Sequence, residues 1–490
     1  MFTDTSFIEI EQLMQTSWTA FHIYRKCPLK ERANFLRAIA VELENCGDVL
    51  IETAMHETNL PEARLRSERG RTVLQLNQYA DACEKGDWME AKIDTAIPDK
   101  IPAKPDIRKM LIPLGPVVVF GASNFPFAYS TAGGDTATAL AAGCPVIVKA
   151  HPAHAQTSEM VANVILKAVR KCKMPEGIFA HVHGINFDVG KALVMHKHTK
   201  AVGFTGSDSG GKQLFNWANQ RKEPIPVFAE MGSVNPVFLL PQKLNESVSE
   251  LAKMLAASIA LGAGQFCTNP GLIIGIVSDA LKLFTHDLGK AIQQMQAAPM
   301  LHNGIANAYK QNKANALLQK GVHLVAESET EITKNEGVPT IATVDADIFL
   351  SNPILHREVF GPYSLIVSCK DMNELTAVAK NLEGQLTSTL LATENDLQQN
   401  EELIDAIKNC CGRIILNNVP TGVEVCLSMH HGGPFPATTD ARFTSVGADA
   451  IKRFARPICF QNWSNELLPD ELKNENPLQL WRTINNQLTK

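Results

Sequence analysis

The sequence predicts an α/β protein built around a doubly wound parallel sheet, and three features of the chain lead to this prediction. Residues 7–85 show the spacing of amphipathic helices, as in ERANFLRAIAVELENCGDVL, where apolar side chains recur on one side. From residue 116 the pattern changes to short apolar runs, such as PVVVFGA, that suit strands buried on both faces. These runs alternate with helical segments, as expected for parallel strands joined by right-handed crossovers.

The individual elements follow in order along the chain. Apolar runs after residue 116 predict the strands PVVVFGA, PVIVKA, IFAHVHG and KAVGFTG. Between them lie the predicted helices TAGGDTATALAAG, which ends at Gly143, TSEMVANVILKAVRK and VGKALVMHK. A second α/β block from about residue 233 to 435 has a predicted helix at 244–261 and the strands GLIIGIV, GPYSLIVSC, STLLAT and RIILNN.

Two strand-like stretches belong to neither block. They are KPDIRKMLIPLGP, which falls largely within 101–115, and RFARPICFQNW at 453–463. Unpaired strands of this kind could pair with each other or with another subunit.

Composition restricts the class of protein. At 490 residues the chain is too long for one core, so two or three domains are expected. The net charge of −5 provides no basic surface for nucleic acid. The N-terminal MFTDTSFIEIEQ lacks the features of a signal peptide, and no apolar run approaches the roughly 18 residues of a membrane span. Eleven cysteines without CxxC spacing indicate a reducing compartment. We therefore expect a cytoplasmic protein without nucleic-acid or membrane partners.

The histidines do not predict a metal site. Pairs occur at His151/His154 and at His430/His431. Neither pair is accompanied by a matching set of Cys, Asp or His ligands, and a structural or catalytic metal needs three or four. We therefore expect no bound metal.

One cysteine stands in an unusual setting. Cys267 lies in GAGQFCTNPG, among glycines and small polar residues, directly after an apolar helical run. A structural cysteine is usually a small buried hydrophobe, whereas a reactive one needs access and surroundings that favour the thiolate. The flanking sequence favours a reactive thiol.

Two side chains at predicted strand ends could support a nucleophilic thiol. Asn124 follows the strand in VVVFGASNFPFAYS, where its carboxamide could stabilise an oxyanion; the alternative is a turn asparagine. Glu230 ends the run PIPVFAE, where apolar neighbours would raise the pKa of its carboxyl and let it act as a general base. The alternative for Glu230 is an ion pair with a cation.

A glycine-rich segment and a lysine could bind a phosphate and a ribose. In AVGFTGSDSGGKQLF, the residues Gly206, Ser207, Gly210 and Gly211 connect a strand to a helix whose amino terminus could face a phosphate. The spacing differs from GxGxxG, so the usual dinucleotide fingerprint is absent. Lys149 ends the strand PVIVK and could bond ribose hydroxyls, although a lysine at a strand end is often merely solvated.

In combination these strings carry a family resemblance. NFP, VK, FTGS, AEMG, GQFCT and EVFGP, in this order, resemble the aldehyde dehydrogenase superfamily along nearly the whole chain. RKEPIPVFAEMGSVNPVFLLP and PTGVEVCLSMHHGGPFPATTDARFTSVG are similar to the branch of 2-oxoglutarate semialdehyde (2,5-dioxovalerate) dehydrogenases and NADP-linked fatty aldehyde dehydrogenases. Two departures concern branch and pocket shape: Ser123 replaces the usual aromatic before Asn-Phe-Pro, and EMGSV replaces ELGGK.

The resemblance implies an oxidation of an aldehyde to its acid with NAD or NADP, with 2-oxoglutarate semialdehyde as the expected substrate. It implies Cys267 as nucleophile, Glu230 as general base and Asn124 as oxyanion donor. For the cofactor it implies Lys149 and Glu358 at the ribose hydroxyls, Phe360 beside the nicotinamide, and Gly206, Ser207 and Gly210 at the pyrophosphate.

It also implies the architecture and the assembly. We expect a Rossmann-type cofactor domain, an α/β catalytic domain with the cysteine, and a small β oligomerisation arm, in a homodimer or homotetramer. The expected division is 1–100 and 116–231 for the cofactor domain, 232–436 for the catalytic domain, and 101–115 and 437–490 for the arm and C-terminal segment.

Several alternatives remain at this point. A medium- or long-chain aliphatic aldehyde is the alternative substrate. A coenzyme-A-acylating dehydrogenase would not need the base Glu230, and a cofactor-free thiol acyltransferase would need a histidine partner that no local string marks. A non-catalytic protein could have lost Cys267 and Glu230.

Two further expectations concern the ligands. An acidic substrate requires a cation, and EARLRSERGRT offers Arg69 and Arg71, each equally compatible with a solvated helix face. After Lys149 the first acid is Glu159, so no nearby carboxylate repels an NADP 2′-phosphate, and Lys149 or a histidine could donate to it.

Overall fold

The computed structural model describes residues 2–330 and 335–490. Helices come first, which confirms the prediction for residues 7–85, and a reciprocal pair of Ser6 and Glu9 hydrogen bonds caps the first helix. Two strands follow the helices. The bounds are α1 (Phe7–Tyr24), α2 (Leu29–Glu44), α3 (Gly47–Thr58), α4 (Glu62–Lys85), β1 (Lys92–Asp94) and β2 (Ile107–Pro113).

The first parallel sheet has the four predicted strands, followed by the apolar run that ends at Glu230. Its bounds are β3 (Val117–Phe120), α5 (Gly134–Ala142), β4 (Val146–Lys149), α6 (Ala155–Lys171), β5 (Phe179–Val182), α7 (Phe187–Met195), β6 (Ala201–Thr205), α8 (Asp208–Gln220) and β7 (Val227–Glu230). The strand order is β5-β4-β3-β6-β7, and all pairs are parallel. As predicted, α5 ends before Gly143, which adopts the left-handed conformation at φ 98°.

Burial on both faces explains the uniformly apolar strands of this sheet. Val117 and Val119 pack in the cluster with α2, α5 and α6, whereas Val118 packs on the opposite face with residues of α1 and α7. Because side chains alternate along a strand, every position then requires an apolar residue.

The second sheet carries the remaining predicted strands. Its order is β11-β13-β14-β9-β8-β15-β16, parallel except for the antiparallel pair β11–β13, with a separate small pair β10–β12. The bounds are β8 (Val237–Leu239), α9 (Pro241–Ala260), β9 (Leu272–Ile276), α10 (Asp279–Gln293), β10 (Ala298–Pro299), α11 (Asn303–Leu317), β11 (His323–Glu327), β12 (Glu336–Gly337), β13 (Thr340–Asp345), α12 (Ala346–Ser351), β14 (Tyr363–Cys369), α13 (Met372–Asn381), β15 (Gln385–Leu391), α14 (Glu394–Gln399), α15 (Glu401–Cys410) and β16 (Cys411–Leu416).

The two stray strands pair with each other, which was one of the two expected alternatives. β17 (Ala455–Gln461) runs antiparallel to β2 over its whole length, from Ala455 opposite Pro113 to Gln461 opposite Ile107. With β18 (Arg482–Ile484) and β19 (Gln487–Thr489) they form a sheet in the order β17-β2-β1-β18-β19.

The length and hydropathy of the helices bear on whether any of them could span a membrane. In residues 2–330 and 335–490, none of the helices combines the length and apolar character that crossing a bilayer requires.

Candidate active site

A left-handed turn presents Cys267 after helix α9. Gly262, Ala263 and Gly264 have φ angles of 55°, 56° and 64° in succession. A Cβ on Gly264 would lie 2.3 Å from the carbonyl carbon of Gly361, so only glycine fits there. The glycines that marked this segment in the sequence therefore serve a tight turn that brings the thiol out of the helix axis.

Asn235 is hydrogen-bonded to the backbone of the cysteine segment, a role that the sequence analysis did not predict. Its side-chain amide donates to the carbonyl oxygens of Cys267 and Asn269, both at 2.9 Å. Its carbonyl oxygen accepts from the Thr387 hydroxyl at 2.9 Å, and the whole residue is buried. A buried and fully bonded amide of this kind fixes the position of the nucleophile's backbone.

Glu230 lies buried at the end of β7 with both carboxylate oxygens hydrogen-bonded. Oε1 lies 3.0 Å from Nε2 of His431, and Oε2 accepts from the Ser445 hydroxyl at 2.6 Å. The thiol of Cys267 lies close by, since a carboxylate oxygen of Glu230, Sγ of Cys267 and a ring nitrogen of His431 all lie within 4.8 Å of one another. The only sequence signal for these partners was the string MHHGGPFPATTDARFTSVG, which holds both His431 and Ser445.

The expected rise in the pKa of Glu230 is wrong. Burial does favour the neutral acid, but the hydrogen bonds and charge of His431, Ser445 and Cys267 outweigh it and lower the pKa below its ordinary value. The apolar neighbours in the chain predicted the first effect alone. Glu230 is thus an anion at neutral pH, ready to accept a proton.

Cys267 differs from expectation in two respects. Burial and the nearby Glu230 raise the pKa of its thiol well above the ordinary value, so the chain by itself favours the thiol over the thiolate. The thiol also has a histidine partner, since Sγ lies 3.6 Å from Nε2 of His431. No local string marked a histidine partner in the sequence, and the structure identifies His431 in that position.

Asn124 faces the chain just before the cysteine. Its side-chain amide donates to the carbonyl oxygen of Gln265 at 3.2 Å, which leaves a second N–H of the same amide for another acceptor. Arg64 donates to the Asn124 carbonyl oxygen at 2.8 Å. Glu68 accepts from the amides of Phe127 and Ala128, at 2.9 and 3.0 Å, and so fixes the loop that carries Asn124.

Of the two arginines proposed for an acidic substrate, only Arg71 points to this site. Its guanidinium donates to the Tyr129 hydroxyl at 3.0 Å and interacts electrostatically with Cys267. Arg69 instead donates to the Gly47 carbonyl oxygen on the exposed side of α4. A third arginine, Arg413 on β16, was missed by sequence reasoning and also interacts electrostatically with Cys267 and Tyr129.

The glycine-rich segment forms the turn from β6 to α8. Ser207 caps α8 and accepts from the Gly210 amide at 3.2 Å. A Cβ on Gly206 would lie 2.6 Å from the Phe204 ring, and one on Gly210 would lie 3.0 Å from it. The glycines keep the helix amino terminus open, as a phosphate-binding turn requires.

Lys149 ends β4 at the same edge of the sheet. Burial lowers its pKa to about 8, which leaves it a cation at neutral pH. Burial also lowers the pKa of His151 and of His154, so both rings are neutral. Of the two groups proposed to contact a 2′-phosphate, Lys149 alone therefore carries a charge.

Glu358 and Phe360 line one cavity with Ser233 and Phe266, next to the cysteine segment. Burial raises the pKa of the Glu358 carboxyl to about 8. A Cβ on Gly232 would lie 2.2 Å from a carboxylate oxygen of Glu358, so the glycine after Glu230 leaves room for this side chain. The carboxyl is therefore poised to receive hydroxyl donors, which would favour its charged form.

The chain is similar to known proteins over nearly its whole length. The model of the aldehyde dehydrogenase family matches residues 3–436. The chain is 47% identical over 475 residues to Alpha-ketoglutaric semialdehyde dehydrogenase 2 of Azospirillum brasilense, covering 97% of this chain and 90% of the relative. It is 45% identical over 492 residues to Alpha-ketoglutaric semialdehyde dehydrogenase of Acinetobacter baylyi, covering 100% of this chain and 93% of that one.

Solved structures share the fold. One is a 1-pyrroline-5-carboxylate dehydrogenase with a TM-score of 0.79 at 19% identity, covering 94% of this chain and 86% of that chain. Another is succinic semialdehyde dehydrogenase from Streptococcus pyogenes in complex with NADP+, with a TM-score of 0.76 at 18% identity, covering 94% and 96%. The full-length sequence match and the shared fold lead to one conclusion: this chain belongs to the aldehyde dehydrogenase family.

Proposed function

We propose that this protein oxidises 2-oxoglutarate semialdehyde to 2-oxoglutarate with NAD or NADP as hydride acceptor. The family supports aldehyde oxidation, and the names of the two curated relatives support this substrate. The observation that carries the choice of an acidic aldehyde is the electrostatic interaction of two arginines, Arg71 and Arg413, with Cys267.

Both guanidinium groups retain hydrogen-bonding capacity. Nε of Arg71 and Nε of Arg413 are buried and have no hydrogen-bond partner among the described residues. Leaving a buried donor unpaired costs about 1–3 kcal/mol, more for a charged group. Arginine binds carboxylates through a planar set of donors, so a substrate with a carboxylate beside a keto group would satisfy both side chains.

The first chemical step is the addition of the Cys267 sulfur to the aldehyde carbon. Glu230, which lies close to the thiol and is held as an anion by its partners, accepts the thiol proton. The carbonyl oxygen takes up the negative charge, and the free amide N–H of Asn124 donates to it. The product is a thiohemiacetal on Cys267.

The structure fits a dinucleotide at the edge of the first sheet. The open turn at Gly206 and Ser207 suits its phosphates, while Lys149 and Glu358 suit ribose hydroxyls as a cationic donor and a desolvated acceptor. Phe360 lines the same cavity as Glu358 and would lie against the nicotinamide. When bound, NAD or NADP supplies an acceptor for the hydride of the thiohemiacetal carbon, which leaves a thioester.

Hydrolysis of the thioester returns the enzyme to its starting state. Glu230, ionised again, accepts a proton from water as the water oxygen adds to the thioester carbon. Cys267 then leaves as a thiolate and is reprotonated. The balance is one aldehyde, one oxidised cofactor and one water converted to one carboxylate, one reduced cofactor and two protons.

The alternative functions fit less well. A long alkyl chain would leave the buried Nε atoms of Arg71 and Arg413 without partners, at the cost given above. A coenzyme-A-acylating enzyme does not need a base for water, whereas Glu230 is held ionised next to Cys267. A cofactor-free acyltransferase would gain its histidine in His431, but the open turn at Gly206 and the family match support cofactor use.

Arginine variants test the substrate. In Arg71→Ala and in Arg413→Ala, kcat/KM for 2-oxoglutarate semialdehyde should fall about 10- to 100-fold, the range expected for losing a charged hydrogen bond. For pentanal, an uncharged aldehyde of the same length, kcat/KM should fall much less in both variants. Arg69→Ala is the matched control and should behave as the native protein. Unchanged kcat/KM for the semialdehyde in both variants would exclude this assignment.

The finer aspects of assembly and location are also proposals. The proposed oligomerisation arm is the sheet β17-β2-β1-β18-β19. Its edge strand β17 offers backbone groups to a second subunit, and this supports at least a homodimer. All eleven cysteines lie in the described residues as free thiols, which supports the reducing conditions of the cytoplasm.

A further inference from the structure

A second group of ionisable side chains lies at the edge of the first sheet, away from Cys267. His181 belongs to the edge strand β5, His183 directly follows it, and Glu159 lies on α6. Residues two apart on a strand point to the same face, and here that face is covered by α6. One Glu159 oxygen, Oε2, lies 3.1 Å from Nδ1 of His181 and 2.9 Å from Nε2 of His183.

These three groups form a ligand set for a transition metal. Two imidazole nitrogens and a carboxylate oxygen are ligands that Zn²⁺ takes in proteins, at about 2.0–2.2 Å from the metal. All three ligand atoms lie within 4.8 Å of one another. In a tetrahedral site with such bonds, ligand atoms are about 3.4 Å apart, so small side-chain shifts would admit the ion.

The surroundings of His181 favour coordination through Nδ1. Its other nitrogen, Nε2, lies 3.2 Å from the Ser158 hydroxyl, which in turn lies 2.5 Å from the Thr131 hydroxyl. Metal-binding histidines ordinarily donate their second N–H to such a partner.

The site has one open side and one closed side. The Glu159 side chain is 36% exposed, whereas those of His181 and His183 are 5% and 15% exposed. On the closed side, Phe2 stacks on the His183 ring at 4.0 Å, and Thr5 exchanges hydrogen bonds with the His183 backbone. An ion could enter from the Glu159 side and keep a water there as its fourth ligand.

We propose that Glu159, His181 and His183 bind a divalent transition-metal ion, Zn²⁺ in particular, in a structural site. The ion would join α6 to the edge strand and, through His183, to the segment at residues 2–5. This inference is independent of the proposed oxidation, because none of the three residues belongs to the catalytic constellation.

The catalytic site itself contains a competing group, Glu230, Cys267 and His431, whose ligand atoms also lie within 4.8 Å of one another. There, however, Nδ1 of His431 is buried and has no partner in the described part of the chain. Coordination through Nε2 would put the proton on Nδ1 and leave a buried donor unpaired, which is costly. The favoured metal site is therefore the set of Glu159, His181 and His183, in which Ser158 is hydrogen-bonded to the second nitrogen of His181.

The first step of the experiment removes the competing ligand group by replacing its thiol. Cys267→Ala protein is freed of metal with a chelator and dialysed, and ZnCl₂ and CoCl₂ binding are measured by calorimetry and elemental analysis. One ion per chain is expected, with a tetrahedral Co²⁺ absorption spectrum that has no sulfur charge-transfer band. Thermal unfolding should move to a higher temperature when the ion is added.

Variants assign the ligands. In the same background, His183→Gln should abolish stoichiometric binding and the shift in unfolding temperature. Ser158→Ala should weaken binding by about 10- to 100-fold without changing the stoichiometry, as loss of a supporting hydrogen bond does. His323→Ala, at an exposed histidine on β11, is the matched control and should bind as its parent does. Binding that is absent from the parent, or equal in His183→Gln and the parent, would overturn the proposal.

Discussion

Nε2 of His431 lies 3.0 Å from Oε1 of Glu230, although the two residues are 201 positions apart in the chain. Both side chains are almost fully buried, and the second carboxylate oxygen is bonded to Ser445. A buried carboxylate would ordinarily prefer its neutral form, but these donors reverse that preference. The proposed base is thus kept ionised by donors that lie more than 200 positions away in the chain.

Removing the imidazole should therefore change the pH dependence of turnover. In His431→Ala, Glu230 loses a partner that lowers its pKa, so its pKa should rise. Water activation requires the ionised form and is lost as pH falls through this pKa, so the acid limb of the kcat profile should move to higher pH. Steady-state kcat is measured between pH 5 and 9 with a saturating aldehyde.

The neighbouring His430 provides the control for this variant. His430→Ala removes an imidazole from the same segment without removing a bond to Glu230, and its acid limb should stay in place. If the acid limb of the kcat profile stays in place in His431→Ala, that result would contradict the role assigned to His431.

Changing the base itself should separate the two halves of the reaction. Glu230→Gln keeps the shape of the side chain but cannot take a proton from water, so thioester hydrolysis should slow by about 10²- to 10⁴-fold. In this variant His431, whose Nε2 lies 3.6 Å from Sγ of Cys267, takes the thiol proton in place of Glu230. Because hydride transfer precedes hydrolysis, one equivalent of reduced cofactor should still form in a rapid burst. Stopped-flow absorbance of the reduced cofactor measures both phases.

Cys267→Ala is the comparison for that experiment. Without the sulfur no covalent intermediate forms, so both the burst and the turnover should disappear while cofactor binding, followed by fluorescence, persists. Full turnover in Cys267→Ala, or native steady-state hydrolysis in Glu230→Gln, would be incompatible with the mechanism.

The segment after Lys149 predicts that both cofactors work. Glu159, the first acid after the lysine, is engaged by His181 and His183 rather than placed to repel a 2′-phosphate. Lys149 itself carries a positive charge at neutral pH. Values of kcat/KM with NAD and NADP at fixed aldehyde should differ by less than about a thousandfold, roughly 4 kcal/mol. A larger preference for NAD would mean that another group repels the phosphate.

The proposed oligomerisation arm predicts that the protein associates with further copies of itself. The outer edge of β17 presents backbone donors and acceptors, and Cys459 on this strand is exposed. Light scattering at micromolar concentration should show a dimer or tetramer. Cys459→Arg, which adds a charge to the edge strand, should shift the protein towards the monomer, whereas Cys426→Arg at another exposed cysteine should not. A monomeric native protein would refute the arm's role in assembly.

The sequence by itself determined the family, the strands of the first sheet and four of the seven strands of the second, which are β9, β14, β15 and β16. Val117, Val118 and Val119 were predicted to form a strand because a parallel strand covered on two faces requires uninterrupted apolar residues. The glycines around Cys267 predicted a turn because left-handed backbone conformations exclude most side chains. Such signals depend on neighbours in the chain, and a single sequence therefore contains them.

Only the tertiary structure decided the partners of the site. The bonds from His431 and Ser445 to Glu230 depend on how a segment 201 to 215 residues away folds back over β7. The same applies to the interactions of Arg71 and Arg413 with Cys267, and to His181 and His183 around Glu159. Local neighbours of Glu230 predicted a raised pKa, and the distant donors reversed its direction. Charge state depends on every group within a few ångströms in space, and sequence spacing does not encode that distance.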